Sequence, residues 1–263
     1  MPINQIKMIE LKNESQFAKM KIAGRITGEA LKVGEEACKP GVTTKQIDEM
    51  IHDYIVKQGA TPSFLGYGGF PGSACISLND QVIHGIPSRD TVIKDGDLVK
   101  LDVGATYDGY NGDAARTVLV GEVSAEAREL ALRTKESFWE AFRLIEKRIE
   151  AGDTLRLGDI GHTIESYVNR YGFSVVRKYV GHGIGRNIHE SPDVPNYGKP
   201  GRGQRVTVGM AIAVEPMVNI GSGEVKELSD GWTVVTADGS LSSHYENTIL
   251  VTDKGVIAST YIE

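Results

Sequence analysis

Two stretches of the 263-residue chain repeat one another, and a repeat of this length constrains the fold more than any single element. Residues 41–59 begin Gly-Val-Thr, and residues 152–172 begin Gly-Asp-Thr. Four later positions match at one constant separation: Ile47 with Ile160, Ile51 with Ile164, Tyr54 with Tyr167, and Gly59 with Gly172. The pairs Ile83-His84 and Ile188-His189 each precede a proline by the same distance. The repeat predicts two similar halves, about 15–121 and 122–258, within one domain spanning residues 1–263.

Helical periodicity alternates along the chain with short apolar runs. Apolar residues at three-and-four spacing predict helices over residues 15–36, 44–57 and, after Ser124 as N-cap, 125–150. Strand-like runs bounded by Gly, Asp or Asn lie between them, at residues 75–78, 98–103, 114–120, 211–218 and 248–251. Long helices among strands without regular βαβ alternation predict an α+β fold. Its largely antiparallel sheet would carry helices on one side and leave the other face free for a site.

Charge and cysteine content exclude several classes of protein. A net charge of −6 predicts no broad basic surface, so we expect no binding to DNA. Residues 1–11 show no apolar signal core, and no run of about 18 apolar residues occurs, so we expect a cytoplasmic protein without a membrane span. Cys38 and Cys75 are the only cysteines. They predict a reducing compartment without disulfides, and two thiols cannot build a thiolate zinc site.

Three apolar strand-like runs each contain an acidic residue, although Asp and Glu are depleted in strands and costly to bury unpaired. Asp102 lies in Leu-Val-Lys-Leu-Asp-Val-Gly, Glu215 in Ala-Ile-Ala-Val-Glu-Pro-Met, and Glu246 in His-Tyr-Glu-Asn-Thr. Side chains alternate along a strand, so each carboxylate is expected to point away from the apolar face of its strand. An isolated acidic residue of this kind is more often ion-paired or exposed at a sheet edge.

Asp113 and His182 extend this acidic set. Asp-Gly and Asn-Gly pairs at residues 107–112 predict a chain reversal that brings Asp102 and Asp113 onto one face. His182 lies in Gly-His-Gly-Ile-Gly, where small neighbours allow close approach, although a lone histidine there is as often a satisfied polar residue. Four carboxylates buried close together, with few Lys or Arg residues nearby in the sequence, would need cations to balance their negative charge. Together with one imidazole they predict a site for a pair of divalent ions.

These residues resemble a known metal centre. The family is that of the type I methionine aminopeptidases, whose five metal ligands match, in order and spacing, Asp102, Asp113, His182, Glu215 and Glu246. The likeness runs from about Ala18 to Val251 and includes Asn-Asp-Gln-Val-Ile-His-Gly-Ile-Pro at residues 79–87. It implies a single catalytic metallopeptidase domain with the pita-bread fold: two pseudo-symmetric halves, a central, mainly antiparallel sheet, and helices on its outer face.

The resemblance also implies how the ions are held. One divalent ion would be bound by Asp113, His182, Glu215 and Glu246. The other would be bound by Asp102, with Asp113 and Glu246 bridging the pair. A mixed imidazole and carboxylate site accepts Co, Mn, Fe, Ni or Zn. The implied activity is that of a metal-dependent aminopeptidase that removes the initiator methionine from nascent proteins and prefers a small second residue.

Further roles follow from the same resemblance. Glu215 would be the general base, and His84 and His189 would hydrogen-bond the substrate amide and the developing oxyanion. Cys75 would be a packing thiol rather than a nucleophile. The substrate-binding residues implied in this way are Phe64, at the rim of an apolar slot, with Tyr67, Phe70, Cys75, His84, His189 and Trp232.

Two other interpretations share these residues. A Xaa-Pro aminopeptidase of the same fold has the same five ligands, but such enzymes usually carry a further N-terminal domain, and we expect only about 15 residues before the first helix. A non-catalytic pita-bread protein, acting at the ribosome or on RNA, would be expected to have lost ligands. From the resemblance we expect a monomer that acts on the N-terminal methionine of nascent peptides, with transient ribosome contact.

Overall fold

The computed structural model describes residues 8–262. Residues 1–7 and 263, which belong to the predicted domain, lie outside the described residues, as does most of the segment 1–11 that is expected to contain no signal sequence. Four α-helices occur in the described part: α1 Glu14–Ala37, α2 Thr44–Lys57, α3 Ala125–Glu150 and α4 Leu157–Asn169. The three predicted helices are confirmed, with bounds that differ by at most one residue at either end.

Polar caps fix where the helices begin. Asn13 and Gln16 form a capping box at α1, and Thr43 and Gln46 form the equivalent box at α2. Ser124 accepts a hydrogen bond from the backbone of Ala127, as predicted for the start of α3. Although α1 and α3 have 24 and 26 residues, no helix in residues 8–262 is apolar enough over a sufficient length to cross a bilayer.

All paired strands run antiparallel, which confirms the predicted pairing mode. The first half contributes β1 Thr61–Pro62, β2 Ala74–Leu78, β3 Gln81–Ile83, β4 Leu98–Tyr107 and β5 Tyr110–Leu119. The second half contributes β6 Ser174–Val175, β7 Gly181–Gly183, β8 Glu190–Val194, β9 Ala211–Val214, β10 Met217–Asn219, β11 Val225–Glu227, β12 Val234–Thr236, β13 Ser242–His244, β14 Asn247–Thr252 and β15 Gly255–Ala258.

The two largest sheets, one in each half, meet at the acidic residues. The first has the order β1-β4-β2 with β5 also paired to β4, and the second has the order β15-β14-β9-β7-β8. Between them, Glu246 donates its backbone N–H to the carbonyl of Ala115 at 2.9 Å. The backbone N–H of Asp113 donates to Thr248 Oγ1 at 2.9 Å. Backbone hydrogen bonds therefore join the halves beside two of the predicted metal ligands.

Each half has its own apolar core between its helices and its sheet. Ile51 of α2 packs with Leu101 of β4 in the first core, and Ile164 of α4 packs with Ile212 of β9 in the second; all four are fully buried. Gly34 lets α1 approach α2, because an added Cβ would lie 2.8 Å from Ile51 Cδ1. The repeated isoleucines Ile51 and Ile164 thus lie in two separate cores, one in each half.

All five predicted strand runs differ from the observed bounds: β2 by one residue at one end, β14 by one residue at each end, and β4 by continuing to Tyr107. The other two differ more, for local reasons. The run 211–218 divides into β9 and β10 because Pro216 has no N–H with which to continue a ladder. The run 114–120 begins earlier, at Tyr110, because the reversal is a tight two-residue turn. Asp108 and Gly109 form this turn with φ of 47° and 76°. Asp113 consequently lies inside β5, directly paired in the hairpin with β4.

Truncation of the α2 core position should destabilise the protein. Ile51→Ala removes a fully buried side chain, and we expect the free energy of unfolding to fall by about 2–5 kcal/mol. Met50→Ala, one residue away on the same helix and 47% exposed, should change it by less than about 0.5 kcal/mol. Urea denaturation of both variants tests this. Equal losses in the two variants would mean that α2 does not pack as described.

Candidate active site

The β4–β5 hairpin brings the first two carboxylates together. Asp102 pairs with Ala115, and Asp113 pairs with Gly104, two residues further along β4. Opposed residues of an antiparallel pair share a face, and so do alternate residues of one strand. Asp102 and Asp113 therefore project from the same face, as the turn signal predicts. Val99, Leu101 and Val103 lie on the opposite face, in the core of the first half.

Glu215 and Glu246 enter from the second half. Glu215 directly follows β9, where Pro216 interrupts the ladder, and its carbonyl accepts a hydrogen bond from Asn196 Nδ2 at 3.0 Å. Glu246 lies between β13 and β14 and is fixed to Ala115 by its backbone. Both side chains are buried, with exposed fractions of 9% and 1%. Each half therefore supplies two carboxylates to one place.

His182 presents one nitrogen to these carboxylates. It lies in β7, paired with Ala213 of β9, and its Nδ1 is 2.8 Å from the carbonyl of Gly183. A carbonyl only accepts, so Nδ1 carries the proton and Nε2 is left with a lone pair. That Nε2 lies 3.7 Å from Asp113 Oδ2 and 3.6 Å from Glu215 Oε1. Gly183 is required beside it, since an added Cβ would lie 2.2 Å from the carbonyl oxygen of Ser191.

The four carboxylates lack a basic counterion. Within residues 8–262 the only basic side chains with a nitrogen within 4.0 Å of these carboxylates are those of His182 and His244. Burial raises the pKa of Asp102 to about 7 and that of Glu215 to about 8. Burial and the neighbouring carboxylates raise the pKa of Asp113 and of Glu246 well above the usual range. Burial also lowers the pKa of His182 to about 3, so its imidazole is neutral and cannot balance this charge.

The arrangement fits divalent cations. Three buried carboxylate oxygens, Asp102 Oδ1, Asp113 Oδ1 and Glu246 Oε1, have no hydrogen-bond partner in the described structure. Donor atoms of Asp113, His182 and Glu246 lie within 4.8 Å of one another. Carboxylate oxygens with imidazole nitrogen are suitable ligands for divalent transition metals. A cation would supply the positive charge and the acceptor that these orphaned oxygens require.

One cavity of about 140 Å³ is lined by all the residues that we predicted to bind metal, to act in catalysis or to bind substrate. Its polar end carries the carboxylates and histidines, and its other end is mainly aromatic. The residues that line it are Phe64, Tyr67, Phe70, Cys75, Ile83, His84, Asp102, Asp113, His182, His189, Glu215, Trp232 and Glu246. Only Ile83 was not among the predicted site residues.

Aromatic side chains form the apolar end of the cavity. Phe70 meets Trp232 edge to face, with ring centroids 5.1 Å apart. Phe64, which we placed at the rim, is deeper than predicted: it is 8% exposed, whereas Tyr67 is 46% exposed and stands at the mouth. The difference arises because Phe64 packs beside Gly104, whereas no residue of the turn Tyr67–Gly69 is buried.

Two further histidines flank the boundary between the polar and apolar ends. His189 Nδ1 is 2.9 Å from the hydroxyl of Tyr67, and its ring centroid lies 4.3 Å from that of His182. His84 has a positive φ of 59°, uncommon for a non-glycine residue, and contacts Trp232 edge to face at 6.4 Å. Burial lowers the pKa of His84 to about 4, so the ring is neutral at neutral pH. Neither ring belongs to the acidic cluster itself.

A buried aspartate anchors the cavity wall that contains Cys75. Asp48 Oδ1 accepts the backbone N–H groups of Ser73 and Ala74 at 2.7 and 3.1 Å. Lys45 pairs with the second oxygen at 2.7 Å. Burial, with Asp102 nearby, raises the pKa of the Cys75 thiol well above its ordinary value. The thiol therefore stays protonated, consistent with a packing role.

The similarity to known proteins agrees with this site. The model of metallopeptidase family M24 matches residues 18–253. The chain belongs to metallopeptidase family M24. A methionine aminopeptidase from Clostridium acetobutylicum is 52% identical over 248 residues, covering 94% of this chain and 97% of the relative. The fold and metallopeptidase class implied by the sequence are thereby confirmed.

Among solved structures with this fold, a methionine aminopeptidase is more similar to the chain than a proline-specific peptidase is. The crystal structure of methionine aminopeptidase from Thermotoga maritima matches with a TM-score of 0.93 at 42% identity, covering 97% of this chain and 100% of that chain. A Xaa-Pro dipeptidase from Bacillus anthracis matches with 0.75 at 25% identity, covering 96% of this chain and 62% of that chain. The proline-specific interpretation is therefore disfavoured.

One residue of this M24 site was missed from the sequence. His244, 1% exposed, has Nε2 3.6 Å from Glu215 Oε2. The sequence does contain a sign of its position: His244 lies two positions before Glu246, and side-chain alternation in a strand places such residues on one face. The motif His-Tyr-Glu-Asn-Thr points to the carboxylate of Glu246 alone.

The raised carboxyl pKa values predict how the metal-free protein responds to pH. Folded Asp102 titrates near 7 and Glu215 near 8, against about 4 when unfolded, so the folded state binds more protons between these limits. Below about pH 6.5 this effect is opposed, because unfolded histidines bind protons that folded His84 and His182 do not; the free energy of unfolding should therefore fall mainly as pH rises from about 7 to about 8. Asp102→Asn should reduce this fall, since the amide does not ionise.

Urea denaturation of chelator-treated protein at both pH values measures the effect. Asp90→Asn, at an exposed position outside the cavity, is the matched control and should leave the fall unchanged. A pH dependence identical in the wild type and in Asp102→Asn would contradict the burial of an unpaired carboxylate at this position.

Proposed function

We propose that this chain is a methionine aminopeptidase that removes the initiator methionine from nascent polypeptides by two-metal hydrolysis. The observation that carries the proposal is that five oxygen and nitrogen donors share one cavity with a narrow aromatic slot. The Clostridium acetobutylicum and Thermotoga maritima relatives bear the name of this activity, and each is covered by the chain over nearly its whole length.

Two divalent ions would be held by the predicted ligands. Asp113, His182, Glu215 and Glu246 would bind one ion, and Asp102 would bind the other, with Asp113 and Glu246 shared. Co, Mn, Fe, Ni and Zn all suit this donor set. When bound, such a pair activates a water molecule and polarises the scissile carbonyl.

The proton transfers would be carried by Glu215. Its carboxylate is buried among the other donors, and burial raises its pKa to about 8 before any cation is present. Beside bound cations, Glu215 would be ionised and would accept the proton of the attacking water. It would then return this proton to the leaving amine. No other carboxylate of the cavity is needed for this step.

His84 and His189 would orient the substrate amide and stabilise the oxyanion. Both line the cavity without joining the carboxylate cluster, so an N–H of each is available to the peptide. The Tyr67 hydroxyl, 2.9 Å from His189 Nδ1, fixes the orientation of that ring and leaves Nε2 to face the substrate. These assignments follow the family resemblance and agree with the placement of both rings.

The aromatic end of the cavity would select methionine. Phe70 and Trp232 offer ring edges to an unbranched thioether, and sulfur–aromatic contacts contribute about 0.3–1.5 kcal/mol each. Cys75 and Phe64 fill the slot from the sides. Tyr67 and His189 stand together at the mouth, where they would restrict the second substrate residue to a small side chain.

The same resemblance implies the domain organisation, the oligomeric state, the location and the partners of the protein. We propose one catalytic domain over residues 1–263, with halves 15–121 and 122–258 joined at Ala115, Asp113 and Glu246. We further propose a cytoplasmic monomer that meets its substrate at the ribosome through transient contact. The acidic net charge supports the absence of a DNA partner.

Peptide hydrolysis tests the function directly. Metal-free protein restored with Mn²⁺, Co²⁺ or Fe²⁺ should release methionine from Met-Ala-Ser and should leave Xaa-Pro peptides intact. Asp113→Asn should lose this activity under all three metals because a bridging ligand is removed, whereas Asp90→Asn should retain it. Cleavage of Xaa-Pro peptides would instead assign the proline branch. No hydrolysis with any metal would indicate a binding protein.

A further inference from the structure

His244 is held rigidly beside the metal centre by its backbone. Its N–H donates to Thr117 Oγ1 at 3.0 Å, and its carbonyl accepts from the same hydroxyl at 2.9 Å. It also pairs with Met217 across β10 and β13. The backbone of His244 is therefore held by β5 on one side and by β10 on the other, and this sets the direction in which its ring projects.

Neither ring nitrogen of His244 has a hydrogen-bond partner in the described structure, although the residue is only 1% exposed. A buried, unpaired polar group costs about 1–3 kcal/mol, so such a group normally has a partner. The charged groups that act on the ring are Asp102, Lys100 and Arg116. None of them hydrogen-bonds the ring nitrogens, and burial keeps the imidazole neutral, with its pKa lowered to about 4.

The geometry of His244 parallels that of His182. His182 Nε2 lies 3.6 Å from one oxygen of Glu215, and His244 Nε2 lies 3.6 Å from the other. This separation exceeds a hydrogen bond. It is close to the ~3.4 Å expected between two ligand atoms that bind one ion at about 2.1 Å and a tetrahedral angle. Donor atoms of Glu215, His244 and Glu246 also lie within 4.8 Å of one another.

We propose that His244 is a sixth metal-binding residue of this centre, contributing Nε2 beside Glu215 and Glu246. The centre then binds its ions through two imidazoles, one on each side of Glu215, instead of the single imidazole that the family resemblance implies. The inference rests on the metal centre of the proposed function. A second nitrogen donor would favour nitrogen-preferring ions such as Co²⁺, Ni²⁺ and Zn²⁺ over Mn²⁺.

Proton NMR of the Co²⁺-loaded protein tests this without any substrate. The N–H proton of an imidazole bound to paramagnetic Co²⁺ is shifted far outside the ordinary range and disappears in D₂O. We expect two such exchangeable signals in the wild type, from His182 and His244, and one in His244→Gln. His162→Gln, on the exposed surface of α4, should retain both.

A single shifted imidazole signal in the wild type would overturn the proposal, whether or not any variant folds. Two signals that persist in His244→Gln would overturn it as well. The signal count is independent of peptide cleavage, so the two proposals fail separately. Methionine release with one imidazole signal would refute only the sixth ligand, and two signals without methionine release would refute only the proposed activity.

Discussion

Four carboxylates buried without a lysine or arginine partner are the constraint on which the rest of the structure depends. Asp102, Asp113, Glu215 and Glu246 cannot all ionise at close range in a low-dielectric cavity unless cations balance them. In the metal-free protein, burial therefore raises the pKa of all four. Burying these carboxylates together is destabilising, and the proposed divalent ions would relieve it, so that metal binding would contribute to the stability of the protein.

The repeated architecture explains how such a cluster is assembled. In each half, helices cover one face of a sheet and bury its alternate apolar residues, so that acidic residues of the other face point inward. The first half supplies Asp102 and Asp113 from one hairpin. The second supplies the other proposed ligands from β7 and from positions just after β9 and β13. Since neither half holds the whole proposed ligand set, the candidate site forms only where the two sheets meet.

Features that one local rule determines were predicted correctly from the sequence. Side-chain alternation predicted that Asp102 and Leu101 lie on opposite faces of their strand, and Ser124 was predicted as the N-cap of α3. Features that depend on contacts distant in sequence were predicted less accurately: the depth of Phe64 depends on its packing beside Gly104. The roles of the ligands came from the family resemblance. His244 was overlooked because its importance appears only when β10, β13 and Glu215 are placed together.

Anomalous diffraction from crystals soaked in Co²⁺ would show whether the buried carboxylates hold metal ions. We expect two anomalous peaks inside the cavity, one beside Asp113, His182 and Glu215 and the other beside Asp102, with Glu246 next to both. No peak within the cavity, or peaks only at surface carboxylates, would show that the buried acidic cluster is not a metal centre.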